Sequence, residues 1–209
     1  MIRVRLMYKK GEALKYIGHL DLHKVWERTI RRAQLPLAYS QGFHPQPRIQ
    51  QACPLPLGFT STGEYTDIWL NEDLPTEEIL SSLLPALQPG IDIIEIKIVP
   101  LGDPPLQTIV CAADYFIQIE NELDMKLIAE NIQKLISEES LLRERRGKTY
   151  DLRALIHELK TIEENGNGVF MRLSTLPGAT GRPEEVLDAL GIDLNSVKFS
   201  RVGLTFTSD

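Results

Sequence analysis

Hydrophobic and polar side chains alternate with a period of two at the start of the chain. Ile2, Val4 and Leu6 share one face of this pattern, and two arginines lie on the other. Because successive side chains of a strand point to opposite faces, the pattern predicts a half-buried strand over residues 2–9.

The period changes to three and four residues in LDLHKVWERTIRRA, residues 20–33. The apolar positions of this segment are Leu22, Val25, Trp26, Thr29, Ile30 and Ala33. Their spacing predicts an amphipathic helix, with Asp21 as its N-cap and Leu35-Pro36 after its end.

The rest of the first hundred residues contains three further strand patterns and one further helix pattern. RIQQACPL and EYTDIWLN predict strands, PTEEILSSLLPAL a helix with Pro75 in its first turn, and IDIIEIKIV a strand. The resulting order over residues 1–100, β-α-β-β-α-β, is that of a ferredoxin-like unit.

The prolines and the glycine of PLGDPPLQ predict a linker, which we place at residues 101–108. Beyond it, TIVCAADYFIQIE predicts a strand, ELDMKLIAENIQKLIS and RPEEVLDALG predict helices, and VKFSRVGLTFT predicts a closing strand. The stretch between these helices is rich in strand patterns and has a hairpin signal at Asn165-Gly166-Asn167-Gly168, while residues 151–163 fit either helix or strand. We therefore predict an α+β protein of two tandem ferredoxin-like units, the second at residues 109–209 with an insertion.

Charge is distributed unevenly along the 209 residues. The chain has a net charge of −6, yet residues 1–60 contain ten Lys and Arg against three Asp and Glu. An acidic protein with one strongly basic segment can present a local patch to a polyanion.

Composition argues against several classes of protein. No apolar run approaches the roughly 20 residues that cross a bilayer, and the start lacks the apolar core of a signal peptide, so we expect a cytoplasmic protein without a membrane segment. Cys53 and Cys111 form no CxxC or CxxxCxxC spacing, and GxGxxG and P-loop patterns are absent. We expect no cofactor and no metal.

The polar face of the first predicted helix carries a row of cations. Arg28, Arg31 and Arg32 follow Lys24 at four, seven and eight residues. Like charges at these spacings destabilise a helix by about 0.2–0.5 kcal/mol per pair. Another interaction must therefore make these cations tolerable or useful. One interpretation is a stripe that contacts phosphates, and the other is a solvated face that pairs with acids.

AYSQGFHPQPRIQ, residues 38–50, follows this helix and interleaves aromatic, basic and proline residues. Proteins bind single-stranded nucleic acid with cations that meet phosphates and rings that stack on bases. Tyr39, Phe43, His44 and Arg48 are the candidates for these roles. The alternative is that the two aromatic residues fill the core. For Phe43 alone the core is favoured, and for His44 and Arg48 the surface.

His19 and His23 form an HxxxH pair, a spacing that matches a metal site on one helix face. Because His19 precedes the predicted N-cap and few further ligands are at hand, zinc is disfavoured. A set of His19, Tyr39, His44 and Arg48 fits metal-independent RNA cleavage, with one residue as general base and a cation at the phosphate. The alternative is that the histidines are structural.

RERRGKTYDLR forms a second basic cluster, within the acidic remainder of the chain. Its candidates for nucleic-acid contact are Arg143, Arg145, Arg146 and Lys148. If the two units lie side by side, this cluster extends the first patch.

The segment GHLDLHKVWERTIRRAQLPLAYSQGFHPQPRIQQACPLPLGFTSTGEY, residues 18–65, resembles the signature of the bacterial radical SAM-linked protein family. Asp151-Leu152-Arg153 and RPEEVL at residues 182–187 also fit, so the resemblance spans nearly the whole chain. The family is a domain of unknown function that is fused to, or encoded beside, a cobalamin-binding radical SAM protein. Its pattern also accepts Asn at position 44, which favours hydrogen bonding by His44 over the role of an obligatory base.

The resemblance implies a partner more than an activity. This chain lacks the CxxxCxxC that holds a radical SAM cluster, so radical chemistry would belong to the partner protein. Genes for a ribonuclease of the E/G type and for ribosomal proteins accompany the family, which implies that these proteins all act on or bind RNA. The paired ferredoxin-like order also looks like that of CRISPR repeat-processing endoribonucleases.

Three hypotheses for function result. The first is an RNA-binding accessory module, without catalysis of its own, that presents RNA such as tRNA or rRNA to a partner radical SAM modifying enzyme. The second is a metal-independent endoribonuclease. The third is an adaptor whose basic segment docks on an acidic protein without RNA.

Overall fold

The computed structural model describes residues 1–120, 124–163 and 167–207. Over these ranges the protein has a mixed α+β fold in which antiparallel strands predominate. The chain divides into two compact units, residues 1–109 and residues 110–209.

The first unit contains four strands and three α-helices. They are β1 (Ile2–Lys10), α1 (His19–Arg32), β2 (Ile49–Gln51), β3 (Phe59–Leu70), α2 (Thr76–Leu83), β4 (Ile91–Val99) and α3 (Leu106–Ile109). Backbone pairing places the strands in the order β2-β3-β1-β4, and each neighbouring pair is antiparallel. The chain order of these elements is β-α-β-β-α-β, with α3 added at the end.

Helix α1 begins at His19, earlier than predicted, because an N-cap at Asp21 would place the first helical residue after Asp21. Gly18, with extended backbone at φ −72° and ψ 166°, is its N-cap, so the prediction of Asp21 as N-cap is wrong. Asp21 lies inside the first turn, where the helix dipole favours a carboxylate. After Arg32 the chain leaves the helix through Gln34, which has a φ of 58°.

The core of the first unit lies between its sheet and α1. Val4 and Leu6 of β1 and Trp26 and Ile30 of α1 have no exposed surface. The Tyr8 and Trp26 rings meet edge to face, with their centres 4.9 Å apart and their planes at 76°. The apolar faces of the predicted strand and helix are therefore the faces that form this core.

The opposite face of β1 changes from buried at Arg3, through half-buried at Arg5 and Met7, to exposed at Lys9. Arg3 is only 1% exposed, and its Nε donates to Oδ2 of Asp67 on β3 at 2.8 Å. Arg5 donates from its Nε to Oδ1 of the same carboxylate at 2.8 Å. Buried charges are tolerated where they are paired and hydrogen-bonded, and this pairing holds the arginines of β1 against β3.

The segment predicted as a linker, residues 101–108, lies within the first unit. The carbonyl oxygens of Asp103 and Pro104 accept hydrogen bonds from the Arg3 guanidinium at 2.9 and 3.0 Å. Leu106, the first residue of α3, is fully buried. These contacts make the segment part of the first unit.

The second unit contains seven strands and two helices within the described residues. They are β5 (Val110–Ile119), α4 (Met125–Ser137), β6 (Leu142–Arg145), β7 (Lys148–Asp151), β8 (Ile156–Ile162), β9 (Gly168–Leu176), β10 (Ala179–Thr180), α5 (Pro183–Leu190) and β11 (Val197–Phe206). The order β8-β9-β5-β11 forms an antiparallel sheet, β10 pairs with the end of β9, and β6 and β7 form a separate hairpin.

Residues 151–163, which fit either helix or strand in the sequence, are mostly strand, because β8 pairs with β9. Of the predicted hairpin signal that follows, Asn165 and Gly166 lie outside the described residues. No helix in the described ranges combines the length and the apolar character needed to cross a bilayer.

Candidate nucleic-acid interface

After α1 the chain forms a loop whose two sides are joined by backbone hydrogen bonds. The Arg48 nitrogen donates to the Ala38 oxygen, and the Ser40 nitrogen donates to the Gln46 oxygen, both at 2.8 Å. The Ser40 hydroxyl accepts a further hydrogen bond from the Gln46 nitrogen at 2.9 Å. We call residues 38–48 the hairpin loop, since a short ladder of hydrogen bonds joins its two sides below the tip.

The hairpin loop is anchored on β3 through Trp69. The Ala38 nitrogen donates to the Trp69 oxygen at 2.8 Å, and the Trp69 nitrogen donates to the Arg48 oxygen at 3.1 Å. Pro45 and Pro47 fix their own φ angles, which reduces the number of conformations open to the loop. The loop is therefore preorganised.

The tip of the hairpin loop exposes two of the predicted contact residues. The Phe43 side chain is fully exposed, at 102% of its reference area, and His44 is exposed as well. Tyr39, on one side of the loop, is 39% exposed. The interpretation that Phe43 fills the core is therefore wrong. Gly42 precedes Phe43 with a φ of 130°, a conformation that other residues rarely adopt.

Arg48 lies at the base of the hairpin loop, over the side chain of Trp69. Its guanidinium carbon is 4.9 Å from the centre of that ring, within the range of a cation–π interaction. The Arg48 Nη1 donates to the sulfur of Met1 at 3.3 Å, and sulfur is a weak acceptor. Trp69 was not among the predicted site residues. The local sequence carried no signal for it, because its pairing with Arg3, which places the ring on the arginine-bearing face of β1 and β3, is visible only in the structure.

Helix α1 carries the predicted row of cations, but two of them are paired with acids of the same helix. The Lys24 Nζ lies 3.2 Å from the Asp21 carboxylate, and the Arg31 guanidinium lies 3.8 Å from that of Glu27. Both cations are exposed, so these pairs contribute little stability and can open when a stronger anion arrives.

Arg28 and Arg32 differ in what they contact. Arg32 donates from Nε to the carbonyl oxygen of Ala86 at 3.2 Å, and its Nη2 donates to the same oxygen. This contact ties α1 to the turn that follows α2. Arg28 is exposed, and within the described part of the chain no carboxylate forms an ion pair with it.

In the second basic cluster, two arginines of the β6–β7 hairpin pair with acids of α5. Arg145 donates from Nε to Oε1 of Glu185 at 2.9 Å and from Nη2 to the Tyr150 hydroxyl at 3.2 Å. Arg143 lies 2.9 Å from the Asp188 carboxylate. Burial raises the pKa of Glu185, but hydrogen bonds from Arg145 and Tyr150 outweigh this effect, so that the pKa lies below its ordinary value of 4.5.

Arg146 and Lys148 lie at the exposed turn of the same hairpin. Arg146 and Gly147 have φ angles of 54° and 74°, and positive angles at both central positions are typical of a type I′ turn. Of the four candidates in this cluster, these two are therefore accessible to a ligand.

His19 lines a small pocket inside the first unit, together with Tyr8, Lys10, Gln51, Cys53 and Glu64 and the apolar Ile17, Leu22 and Leu55. The cavity has about 10 Å³ of free space, enough for a single water molecule. Arg48 lines a different pocket, so His19 is separated from Arg48, which shares the hairpin loop with Tyr39 and His44. In the described ranges no group of three His, Cys, Asp or Glu side chains is placed to hold a metal ion.

The sequence profile of a family described as uncharacterized protein conserved in bacteria, DUF2344, matches residues 3–183. The chain belongs to the DUF2344 family. The matched range includes α1, the hairpin loop and the β6–β7 hairpin, so every candidate contact residue lies inside the DUF2344 match. Among curated proteins, no sequence matches this DUF2344 chain.

Solved structures provide a weak likeness to the DUF2344 chain. A chain of a Cbf5-Nop10-Gar1 complex aligns over 98% of this chain and 48% of its own, with a TM-score of 0.44 and 8% identity. A chain of an H/ACA RNP bound to a substrate RNA containing 2′-deoxyuridine aligns over 100% and 47%, with a TM-score of 0.43 and 9% identity. This chain thus spans about half the length of those chains. Because both TM-scores lie below 0.5, the likeness does not establish a shared fold.

Proposed function

We propose that this chain is a cytoplasmic RNA-binding module that presents RNA, such as tRNA or rRNA, to a partner radical SAM enzyme with a cobalamin-binding domain. The hairpin loop carries the proposal. It holds Phe43 fully in solvent, beside His44, on a ladder of backbone hydrogen bonds. An exposed ring in a preorganised loop can stack on a nucleic-acid base, a contact that contributes about 1–3 kcal/mol.

Cations of the first unit complete the proposed contact. Arg48 at the base of the loop has a weak sulfur acceptor for its Nη1, and Arg28 on α1 is exposed. Lys24 and Arg31 can leave their exposed acidic partners for phosphates. Arg146 and Lys148, exposed on the second unit, are separate candidates for phosphate contact.

We further propose that both units are ferredoxin-like. In the first, β3 lies between β1 and β2, which are joined by α1, and this arrangement is a split β-α-β motif. In the second, β9 lies in the same way between β5 and β8, which are joined by α4 and the inserted β6–β7 hairpin. The strand order β8-β9-β5-β11 thus repeats the order β2-β3-β1-β4.

The partner is proposed from the resemblance of residues 18–65 to radical SAM-linked proteins. In this division of labour, the chain contributes the RNA contacts and the partner contributes the radical chemistry. The chain supplies no cluster-binding cysteine motif of its own.

The test is the affinity of the purified chain for fluorescently labelled RNA oligonucleotides, measured by anisotropy for the wild type and Phe43→Ala. Loss of one stacking contact should weaken binding by about 5- to 150-fold. Tyr16→Ala is the matched control, because Tyr16 is an aromatic residue that is 74% exposed outside the loop. Equal affinities of the wild type and Phe43→Ala would contradict the proposal.

The same samples separate the other two hypotheses. Cleavage of the RNA in the presence of EDTA that is lost in His44→Ala would identify an endoribonuclease instead. A complex with a protein partner that survives ribonuclease treatment, combined with no RNA binding, would identify an adaptor.

A further inference from the structure

An open pocket of about 410 Å³ lies at the base of the hairpin loop. Its walls include Arg3, Arg48, Gln50, Trp69 and Asp103. The volume lies within the range of about 300–1,000 Å³ that is usual for small-molecule sites. No residue pattern in the sequence predicts this pocket, because its walls come from segments that are distant along the chain.

One wall of the pocket is held rigidly by Arg3. The Arg3 guanidinium donates to the Asp67 carboxylate on one side and to the carbonyl oxygens of Asp103 and Pro104 on the other. Arg3 is almost fully buried, so these hydrogen bonds are shielded from competing water. The wall is therefore preformed before any ligand arrives, which lowers the cost of binding.

The pocket also presents a cation, Arg48, that has no acidic partner within the described residues. The Arg48 guanidinium stands over the Trp69 ring at 4.9 Å, and the guanidinium of Arg3 lies 5.2 Å from the same ring centre. The Nη1 contact of Arg48 is to the sulfur of Met1, which an oxygen anion would readily replace. An Arg side chain offers both a flat face for a base and a fork of N–H donors for a phosphate.

We infer that this pocket binds a single nucleotide unit. The base lies against the Arg48 and Trp69 stack, the phosphate accepts from the Arg48 donors, and the Asp103 carboxylate accepts from a sugar hydroxyl or a base N–H. The inference deepens the proposed function and rests on it, since it assigns one nucleotide of the bound RNA to this pocket while Phe43 stacks on another.

Tryptophan fluorescence provides the test, because the two tryptophans differ in exposure. Trp26 is fully buried in the core, whereas Trp69 lines the pocket. Titration of the wild-type chain with adenosine monophosphate should quench the fluorescence, and adenosine or inorganic phosphate alone should bind more weakly. Arg48→Gln should weaken binding of the nucleotide by about tenfold or more, because it removes a charge-assisted contact.

Lys97→Gln is the matched control, since Lys97 is an exposed cation of β4 outside the pocket. Its affinity for the nucleotide should equal that of the wild type. Trp69→Phe should abolish the change in fluorescence, and its thermal unfolding will verify that the variant is folded. Absence of quenching at millimolar nucleotide, or equal affinity of Arg48→Gln and the wild type, would overturn the inference.

RNA anisotropy distinguishes failure of the inference from failure of the proposed function. If RNA binding depends on Phe43 but adenosine monophosphate does not bind, the pocket assignment is wrong and the RNA-binding proposal stands. If the mononucleotide binds in an Arg48-dependent way but RNA does not bind, the pocket assignment stands and the RNA-binding proposal is wrong.

Discussion

Gln51 is a buried residue whose side-chain amide has no hydrogen-bond partner among the described protein residues. It is 7% exposed, and neither its amide nitrogen nor its amide oxygen has a hydrogen-bond partner within the described part of the protein. A buried amide without partners costs about 1–3 kcal/mol. The side chain lines the same small pocket as His19, where there is room for one water molecule.

We predict that Gln51→Leu leaves the free energy of unfolding unchanged or raises it by about 1 kcal/mol, because it removes the cost of the unpaired amide. Urea denaturation followed by circular dichroism measures this change. Gln50→Leu is the control, since the Gln50 Oε1 accepts from the Leu106 nitrogen at 3.0 Å and its loss should destabilise. A clear loss of stability in Gln51→Leu would mean that the amide is satisfied by a water molecule in the cavity.

Glu185 makes the stability of the second unit depend on pH. Its pKa lies below the ordinary value of 4.5, because hydrogen bonds from Arg145 and Tyr150 outweigh the effect of burial. A lowered folded-state pKa stabilises the fold at pH values above 4.5, and the contribution is lost as the pH falls from 4.5 through the folded-state pKa. We therefore expect the thermal unfolding temperature of wild type to fall in this acidic window.

Glu185→Gln should lower the unfolding temperature at pH 7 and flatten its dependence on pH below 4.5. Calorimetry at a series of pH values measures both effects. Glu130→Gln is the control, because Glu130 is an exposed carboxylate of α4. An unchanged pH profile in Glu185→Gln would show that other carboxylates dominate the acid response.

At the scale of elements, substitutions at two neighbouring residues in the turn of the β6–β7 hairpin should change the free energy of unfolding in opposite directions. Arg146 and Gly147 both have positive φ angles, which cost about 1–2 kcal/mol for a residue with a Cβ and little for glycine. Arg146→Gly should therefore raise the free energy of unfolding by up to about 1 kcal/mol, and Gly147→Ala should lower it by about 1 kcal/mol. Chemical denaturation of the two variants checks the signs, and changes of the same sign would contradict the account.

The elements that could be predicted from sequence are those whose regular pattern of apolar residues extends over many positions. The alternation in residues 2–9 and the helical spacing in residues 20–33 correspond to β1 and α1, because each buries one continuous apolar face. The N-cap was misplaced because Asp21 has the side chain of a cap, whereas the backbone conformation that begins the helix belongs to Gly18. Strand β8 was ambiguous because its apolar residues fit either period.

The candidate site could be predicted only in part, for a related reason. Aromatic and basic composition marked His44 and Arg48 as surface residues of a loop, whereas it favoured a core position for Phe43, which lies in solvent. Trp69 and the wall at residues 101–105 escaped prediction, because only the register of β1 with β3 and the hydrogen bonds of Arg3 bring them to the loop. Pairings between segments far apart in the chain leave no local signature.

At the scale of the whole molecule, the distribution of charge predicts how RNA binding responds to salt. Lys24, Arg28, Arg31 and Arg48 are the cations of the first unit proposed to meet phosphates, whereas Arg32 is engaged with a carbonyl group. About four phosphate contacts on a single strand give a log–log slope of roughly −3 for affinity against salt concentration. Anisotropy titrations from low to moderate salt measure the slope.

The slope should become less steep by about 0.7 in Arg28→Gln, which removes one phosphate contact. Lys97→Gln should leave the slope unchanged, because Lys97 lies on β4 outside the proposed contact. A slope near zero in the wild type would mean that binding does not neutralise phosphates, and it would contradict the role assigned to these cations.

The hydrogen bonds of Arg3 can form only late in the synthesis of the first unit. Strand β1 is synthesised before both of its neighbours, β3 and β4, and Arg3 also needs the carbonyl oxygens of Asp103 and Pro104. During synthesis the first unit cannot complete its native contacts until more than one hundred residues have emerged. Strand β1 therefore lacks β3, β4 and the carbonyl oxygens that Arg3 needs until those segments have been made, and chains at such incomplete stages are prone to misfolding.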